Sequence, residues 1–155
     1  MKNKAEVLAR IDQVLVGGVV PHNTALGLRS VDCGPNWATV ELPYAEKLVG
    51  NPETGVLHGG AITSLLDGTC GIAIFLAMKN APRIATIDLR IDYLSLATPG
   101  RSVLGRAECY KITHHVAFAR AVAYHDDPND PLANATGTFM IFHEQTSPSL
   151  TGGPA

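Results

Sequence analysis

Between Asn51 and Gly71 the chain reads NPETGVLHGGAITSLLDGTCG, and three features in this run could do chemistry. His58-Gly59-Gly60 opens a stretch of helical spacing. The first turn of a helix leaves backbone N–H groups unpaired and carries partial positive charge. Glycines let a ligand oxygen come close to that backbone. Such a motif either polarises a carbonyl as an oxyanion hole or is only a turn before a helix. Asp67 is the second feature and the only charged side chain between Val56 and Met78. Its helical neighbours Thr63 and Cys70 offer no cation, and a carboxylate buried without partners is costly. An aspartate there marks a polar site or a structural hydrogen bond. It stands about 10 Å along the axis from the helix start, a span that an extended ligand lying along the helix would bridge. Asn51 is the third. Its amide is either a turn former or a group that orients a water or a carboxylate.

These residues need elements to hold them. Gly59 to about Met78 has the spacing of a helix that is apolar nearly all round, hence enclosed by the fold rather than set in a membrane. Gly68 and Gly71 weaken it by roughly 1 kcal/mol each against Ala, which suggests a close neighbour there. Ahead of it, Val7, Leu8, Ile11, Val14 and Leu15 predict an amphipathic helix over 4–16, ended by Gly17-Gly18. Strands are predicted over 25–31 and 37–42, then a loop over 44–57. After the turn at 80–82 the chain is all β: strands over 85–93, 103–112, 116–125 and 133–142. In the first of these Ala85, Ile87, Leu89, Ile91 and Tyr93 alternate with Thr86, Asp88, Arg90 and Asp92, which predicts one apolar and one polar face. Ala117, Ala119, Ala121 and Ala123 make a small-residue face that lets a helix approach. The class is α+β, with an antiparallel sheet wrapped around one long central helix. Its edge strands call for cover by a second copy. The domain expectations are an N-terminal helix and linker over 1–24, a single domain over 25–143 and a flexible tail over 144–155.

The chain has 155 residues with 12 Lys+Arg against 14 Asp+Glu, a net charge of −2. That length suits one domain, and the absence of a basic excess argues against nucleic acid or an anionic membrane as partner. Its 3 cysteines lack CxxC spacing and are odd in number. With no signal-peptide core at the start, a reduced, cytoplasmic setting is expected.

Asn51, Gly55, His58-Gly59-Gly60 and Asp67, within this element order, resemble the hot-dog-fold acyl-CoA thioesterases. The nearest branch is the phenylacetate-degradation (PaaI-like) type of the 4-hydroxybenzoyl-CoA thioesterase superfamily. Ala85-Thr86-Ile87-Asp88, Tyr93, Lys111 and Val116-Ala117-Phe118 resemble the corresponding strands, and the likeness covers roughly 25–142. It implies a hot-dog fold and hydrolysis of an aryl- or medium-chain acyl-CoA. Asp67 is then the catalytic general base or nucleophile. Gly60 supplies the polarising backbone N–H, Asn51 binds Asp67 or the attacking water, and Thr86 positions the water from across a dimer interface. His58, Gly59, Asp88, Tyr93 and Lys111 are the expected substrate contacts. His58 is expected to position rather than transfer protons, and Lys111 to meet the nucleotide end of coenzyme A. The resemblance further implies a homodimer, pairing into a homotetramer, and no cofactor, coenzyme A being part of the substrate. No metal-ligand spacing is visible. Two other readings compete. A non-catalytic acyl-CoA binder is disfavoured by the presence of both Asp67 and HGG. A hot-dog dehydratase or hydratase would place its histidine and acid differently.

Overall fold

The computed structural model describes residues 3–78 and 83–143. The tail expected over 144–155 and the turn over 80–82 fall outside them. Two helices come first, α1 (Lys4–Leu15) and α2 (Pro21–Leu26). Strands β1 (Arg29–Cys33) and β2 (Trp37–Leu42) follow, then a small hairpin, β3 (Val49–Asn51) and β4 (Val56–Leu57). The long helix α3 spans Gly59–Ala77. Four strands complete the chain: β5 (Arg83–Tyr93), β6 (Val103–Ile112), β7 (Val116–Tyr124) and β8 (Ala133–Phe142).

One strand expectation is corrected. Ala25 and Leu26 belong to a helix, and β1 begins only at Arg29. Pro21 stands at the first helical positions, where its missing N–H is not needed, and Gly27 ends the turn at φ 72°. Both residues suit those places. The expected loop over 44–57 also carries the β3–β4 hairpin, closed by a bond from the Tyr44 hydroxyl to the Gly55 carbonyl at 2.9 Å.

The main sheet has 6 strands in the order β1-β2-β6-β7-β8-β5, with every neighbouring pair antiparallel. Helix α3 packs on one face of it, chiefly against β2, β6 and β7. It is long and apolar enough by length and composition to cross a membrane, but half of that stretch is buried within the domain. The alanines of β7 are buried, as the small-residue face requires. Ile62, Leu65, Leu66, Ala73 and Ile74 of α3 fill the core above them.

The tight approach of helix and sheet is on the strand side. A Cβ at Gly105 would stand 2.9 Å from Leu65 Cγ and 3.2 Å from Thr69 Oγ1. Gly105→Ala should therefore cost about 1–3 kcal/mol through overpacking, read as a lower urea midpoint. Gly68 and Gly71 are not crowded. A Cβ there would meet nothing nearer than 3.8 Å and 3.7 Å, respectively. The close neighbour expected at those glycines is not supplied by the described residues of this chain, and the helix surface beside Asp67 stays open.

Strand β5 departs from strict alternation. Its pairing with β8 runs Thr86↔Phe139 and then Asp88↔Thr138, so Ile87 is the extra residue of a β-bulge. A bulge turns the side chains beyond it to the other face. Phe139 is buried against the helix side, so Ile84 and Thr86 share that side with Leu89, Ile91 and Tyr93. The single apolar face expected from Ala85 and Ile87 is thus corrected, and Ile87 is left 54% exposed.

Candidate active site

The bulge brings Thr86 to Asp67. The Thr86 hydroxyl donates to Asp67 Oδ1 at 2.8 Å. Asp67 projects from the uncrowded side of α3 and is half-buried, while Thr86 is exposed on β5. Thr86 was expected to reach the site from across a dimer interface, but it lies in the same chain as Asp67. Asp88, expected as a substrate contact, lies on the outer face of the sheet, away from α3. Lys111 also lies on that outer face. It pairs with Phe118 beyond an irregularity between Cys109 and Lys111.

The start of α3 is built as a second cluster. His58 caps the helix, its Nδ1 accepting the Gly60 N–H at 2.9 Å. This satisfies one orphan donor of the first turn and requires the imidazole hydrogen on Nε2. It also corrects the choice of donor. The N–H of Gly60 is engaged by His58, whereas the N–H of Gly59 takes part in no backbone or side-chain bond among the described residues. Gly59 is thus the donor available to a ligand.

Tyr93 closes over this turn from the end of β5. Its hydroxyl donates to the Gly59 carbonyl at 2.7 Å and lies 2.7 Å from Thr63 Oγ1. Thr63, which sequence reasoning missed, has its Oγ1 3.1 Å from the Gly59 carbonyl oxygen and gives its one hydrogen to that oxygen or to Tyr93 Oη. Its place four residues after Gly59 was the available signal, because Thr at that spacing bonds back along a helix. Ser64, likewise missed, joins His22 Nε2 at 2.9 Å. Two clefts flank the helix start. One, of about 340 Å³, is lined by Leu57, Gly59, Ile62, Tyr93, Leu94 and Leu96. The other, of about 330 Å³, is lined by His22, Lys47, Val49, His58, Gly60 and Ala61, among others.

Asn51 does not meet Asp67 within the chain. Its Oδ1 accepts the Glu53 N–H at 3.0 Å and its carbonyl accepts the Gly55 N–H at 2.9 Å. It shapes the loop that leads into His58.

The cysteines belong to the core. Cys33, Cys70 and Cys109 are all buried. Burial, and next the charge of Asp67, pushes the Cys70 thiol up to about 12. Burial likewise raises Cys33 and Cys109. A thiol-reactive dye at neutral pH should label none of them in the folded protein and all of them in denaturant, because the thiolate is the reacting form.

A long helix buried on an antiparallel sheet is the hot-dog architecture, and here the helix carries a carboxylate, Asp67, on its open side. The family model of the thioesterase superfamily matches residues 54–132, and the chain belongs to that superfamily. It is similar to the Escherichia coli medium/long-chain acyl-CoA thioesterase YigI, with 30% identity over 137 residues covering 79% of this chain and 86% of that protein. A crystal structure of a Pseudomonas aeruginosa protein matches at 43% identity and a TM-score of 0.77, covering 86% of this chain and 98% of that one. The phenylacetic acid degradation protein PaaI of Thermus thermophilus shares the fold, with a TM-score of 0.68 at 23% identity, covering 79% of this chain and 99% of that one.

Proposed function

We propose that this thioester hydrolase acts on acyl-CoA, with medium- to long-chain acyl groups preferred, and that its active site is shared between two copies of the chain. The observation that carries the reading is the bond from Thr86 to Asp67. The hydroxyl hydrogen is committed to the carboxylate, so the Thr86 oxygen is free to accept a hydrogen bond from water. A water held there stands beside Asp67 as general base. Its oxygen attacks the thioester carbon, its proton passes to the carboxylate, and the C–S bond breaks as the proton moves on to the departing thiolate.

The developing oxyanion needs a donor, and the N–H of Gly59 is unengaged. Within one chain, Gly59 and Asp67 are eight residues apart. That is about 12 Å along the helix axis and about 80° around it. Both groups must approach the reacting atoms to about 3 Å, so the donor facing Asp67 comes from a second copy, antiparallel to the first. The edge strand supports this arrangement. Among the described residues β5 pairs on only one side, with β8. Along it and just beyond, Ile87, Leu94 and Leu96 are 54%, 55% and 78% exposed. A long edge strand with a row of unpaired backbone groups is an invitation to pair, and a twofold about β5 sets the two α3 helices antiparallel.

The acyl preference rests on the similarity to YigI and on the apolar cleft beside Gly59, with Leu57, Ile62, Leu94 and Leu96 in its wall. The test is a panel of aryl, short-, medium- and long-chain acyl-CoAs, with released coenzyme A read by mass spectrometry. Turnover rising with chain length is the expected result. Turnover confined to aryl thioesters would overturn the acyl preference, and no turnover by the folded protein would overturn the substrate class.

A further inference from the structure

The tip of the β6–β7 hairpin and the end of β8 bring three histidines together. The metal-binding atoms of His114, His115 and His143 all lie within 4.8 Å of one another, and all three residues are exposed. The rings of His114 and His143 stack with centroids 4.4 Å apart, and His115 meets His114 edge-on at 4.3 Å. We propose that these side chains form a binding site for a divalent transition-metal ion of the zinc class.

The backbone beneath the cluster is well tied. The Thr113 N–H donates to the Val116 carbonyl at 2.8 Å and the Thr113 hydroxyl donates to the same oxygen at 2.9 Å. The Ile141 N–H donates to the His115 carbonyl at 2.8 Å, which fastens the hairpin to β8. The ligands therefore sit on a fixed frame, and only side-chain rotation is needed to close on an ion. Zinc–nitrogen bonds of about 2.1 Å set tetrahedral ligand nitrogens roughly 3.4 Å apart. That is a contraction of little more than 1 Å from the widest spacing here.

A second observation fits the same use. His143 Nε2 lies 2.5 Å from the His114 carbonyl oxygen. A carbonyl only accepts, so the ring donates its Nε2 hydrogen and keeps the lone pair on Nδ1. A metal-bound imidazole is held in this way, with its other nitrogen donating to a carbonyl or carboxylate. The chemistry of the set selects the ion. Three imidazoles, with no carboxylate among the described residues of the cluster, suit zinc, nickel or copper and not calcium or magnesium. With three protein ligands at an exposed position, water completes the coordination.

Each of the other histidines has at least one ring nitrogen in use, His22 Nε2 lying 2.9 Å from Ser64 Oγ. Both ring nitrogens of His125 are used, by the Thr98 N–H and the Ser102 carbonyl. His58 Nδ1 holds the Gly60 N–H, and the cysteines are buried. The site escapes sequence inspection because His115 and His143 are 28 positions apart and meet only through the β7–β8 pairing.

The test uses the tag-free full chain, stripped with chelator and titrated with zinc chloride by calorimetry and with cobalt chloride by visible absorption. One ion per chain is expected, with cobalt bands typical of nitrogen ligation, and magnesium should not compete. His143→Ala and His114→Ala should each weaken zinc binding at least about tenfold and abolish the rise in Tm that zinc gives the parent by binding only the folded state. His22→Gln should bind zinc like the parent. No saturable binding by the folded parent would overturn the proposal. So would unchanged affinity and stoichiometry in the folded His114→Ala/His143→Ala protein.

Discussion

Asp67→Asn is expected to lower kcat by about 10²–10⁴ and to leave the fold intact. The replacement matches the carboxylate in shape. Its amide oxygen still accepts the Thr86 hydroxyl, which donates at 2.8 Å in the parent. What it loses is basicity: an amide cannot take a proton from water. The expected signature is therefore lost turnover with unchanged Tm and retained binding of coenzyme A thioesters. Thr86→Val separates the two partners. It removes the hydroxyl that holds the water while sparing the carboxylate, and a single hydrogen bond of about 1 kcal/mol corresponds to a loss nearer tenfold. Single-turnover release of coenzyme A measures both. Near-parental turnover in Asp67→Asn would remove Asp67 from the reaction.

The second large effect concerns the donor. Gly59→Pro removes a first-turn N–H that His58 leaves free. Proline suits the first helical position, and His58, at φ −63° and ψ 133°, already has the extended backbone that precedes a proline. The added Cβ would stand 3.2 Å from Tyr93 Oη, so Gly59→Ala is the control with the same crowding and the N–H kept. A loss of about 10²–10³ in kcat is expected for the proline variant beyond whatever alanine costs. Mixing then tests the sharing of the site. Each site takes Asp67 from one copy and Gly59 from the other. A dimer of one Asp67→Asn chain and one Gly59→Pro chain holds one intact site and one doubly defective site. Random co-assembly of two inactive proteins should therefore restore about a quarter of the parental activity. If the mixture stays inactive while dimers demonstrably exchange, Asp67 and Gly59 do not serve one thioester across the interface.

Much of the architecture is legible in the chain itself. Helix α3 shows in its long uncharged run, and the hydrophobic period with Pro and Gly punctuation marks β2, β6, β7 and β8 within a residue or so. The small-residue face of β7 is visible as alternate alanines. The strand reading over 25–31 failed at Ala25 and Leu26, the end of α2, because so short a helix has too few residues to display a period, and the Pro and Gly at its ends carried the only signal. Of the site, Asp67 and the HGG turn stand out by type, as a lone carboxylate and a glycine pair at a helix start. Which glycine offers its N–H does not. That choice depends on the rotamer of His58, which claims Gly60.

The sequence by itself determined the element order, the enclosed helix, and a carboxylate about two turns beyond a glycine-rich helix start. The tertiary structure alone decided which groups meet. Period-two alternation puts Thr86 with Asp88 on the polar outer face of β5. Pairing with β8 inserts Ile87 as an extra residue instead, turning Thr86 inward to Asp67 and leaving Asp88 outside. A bulge has this power because side chains alternate every residue along a strand, so one unpaired residue exchanges the faces of all that follow. Nothing local in Ala85-Thr86-Ile87-Asp88 announces it. The extra residue is set by the fit of β5 to β8 and to the helix that both must cover.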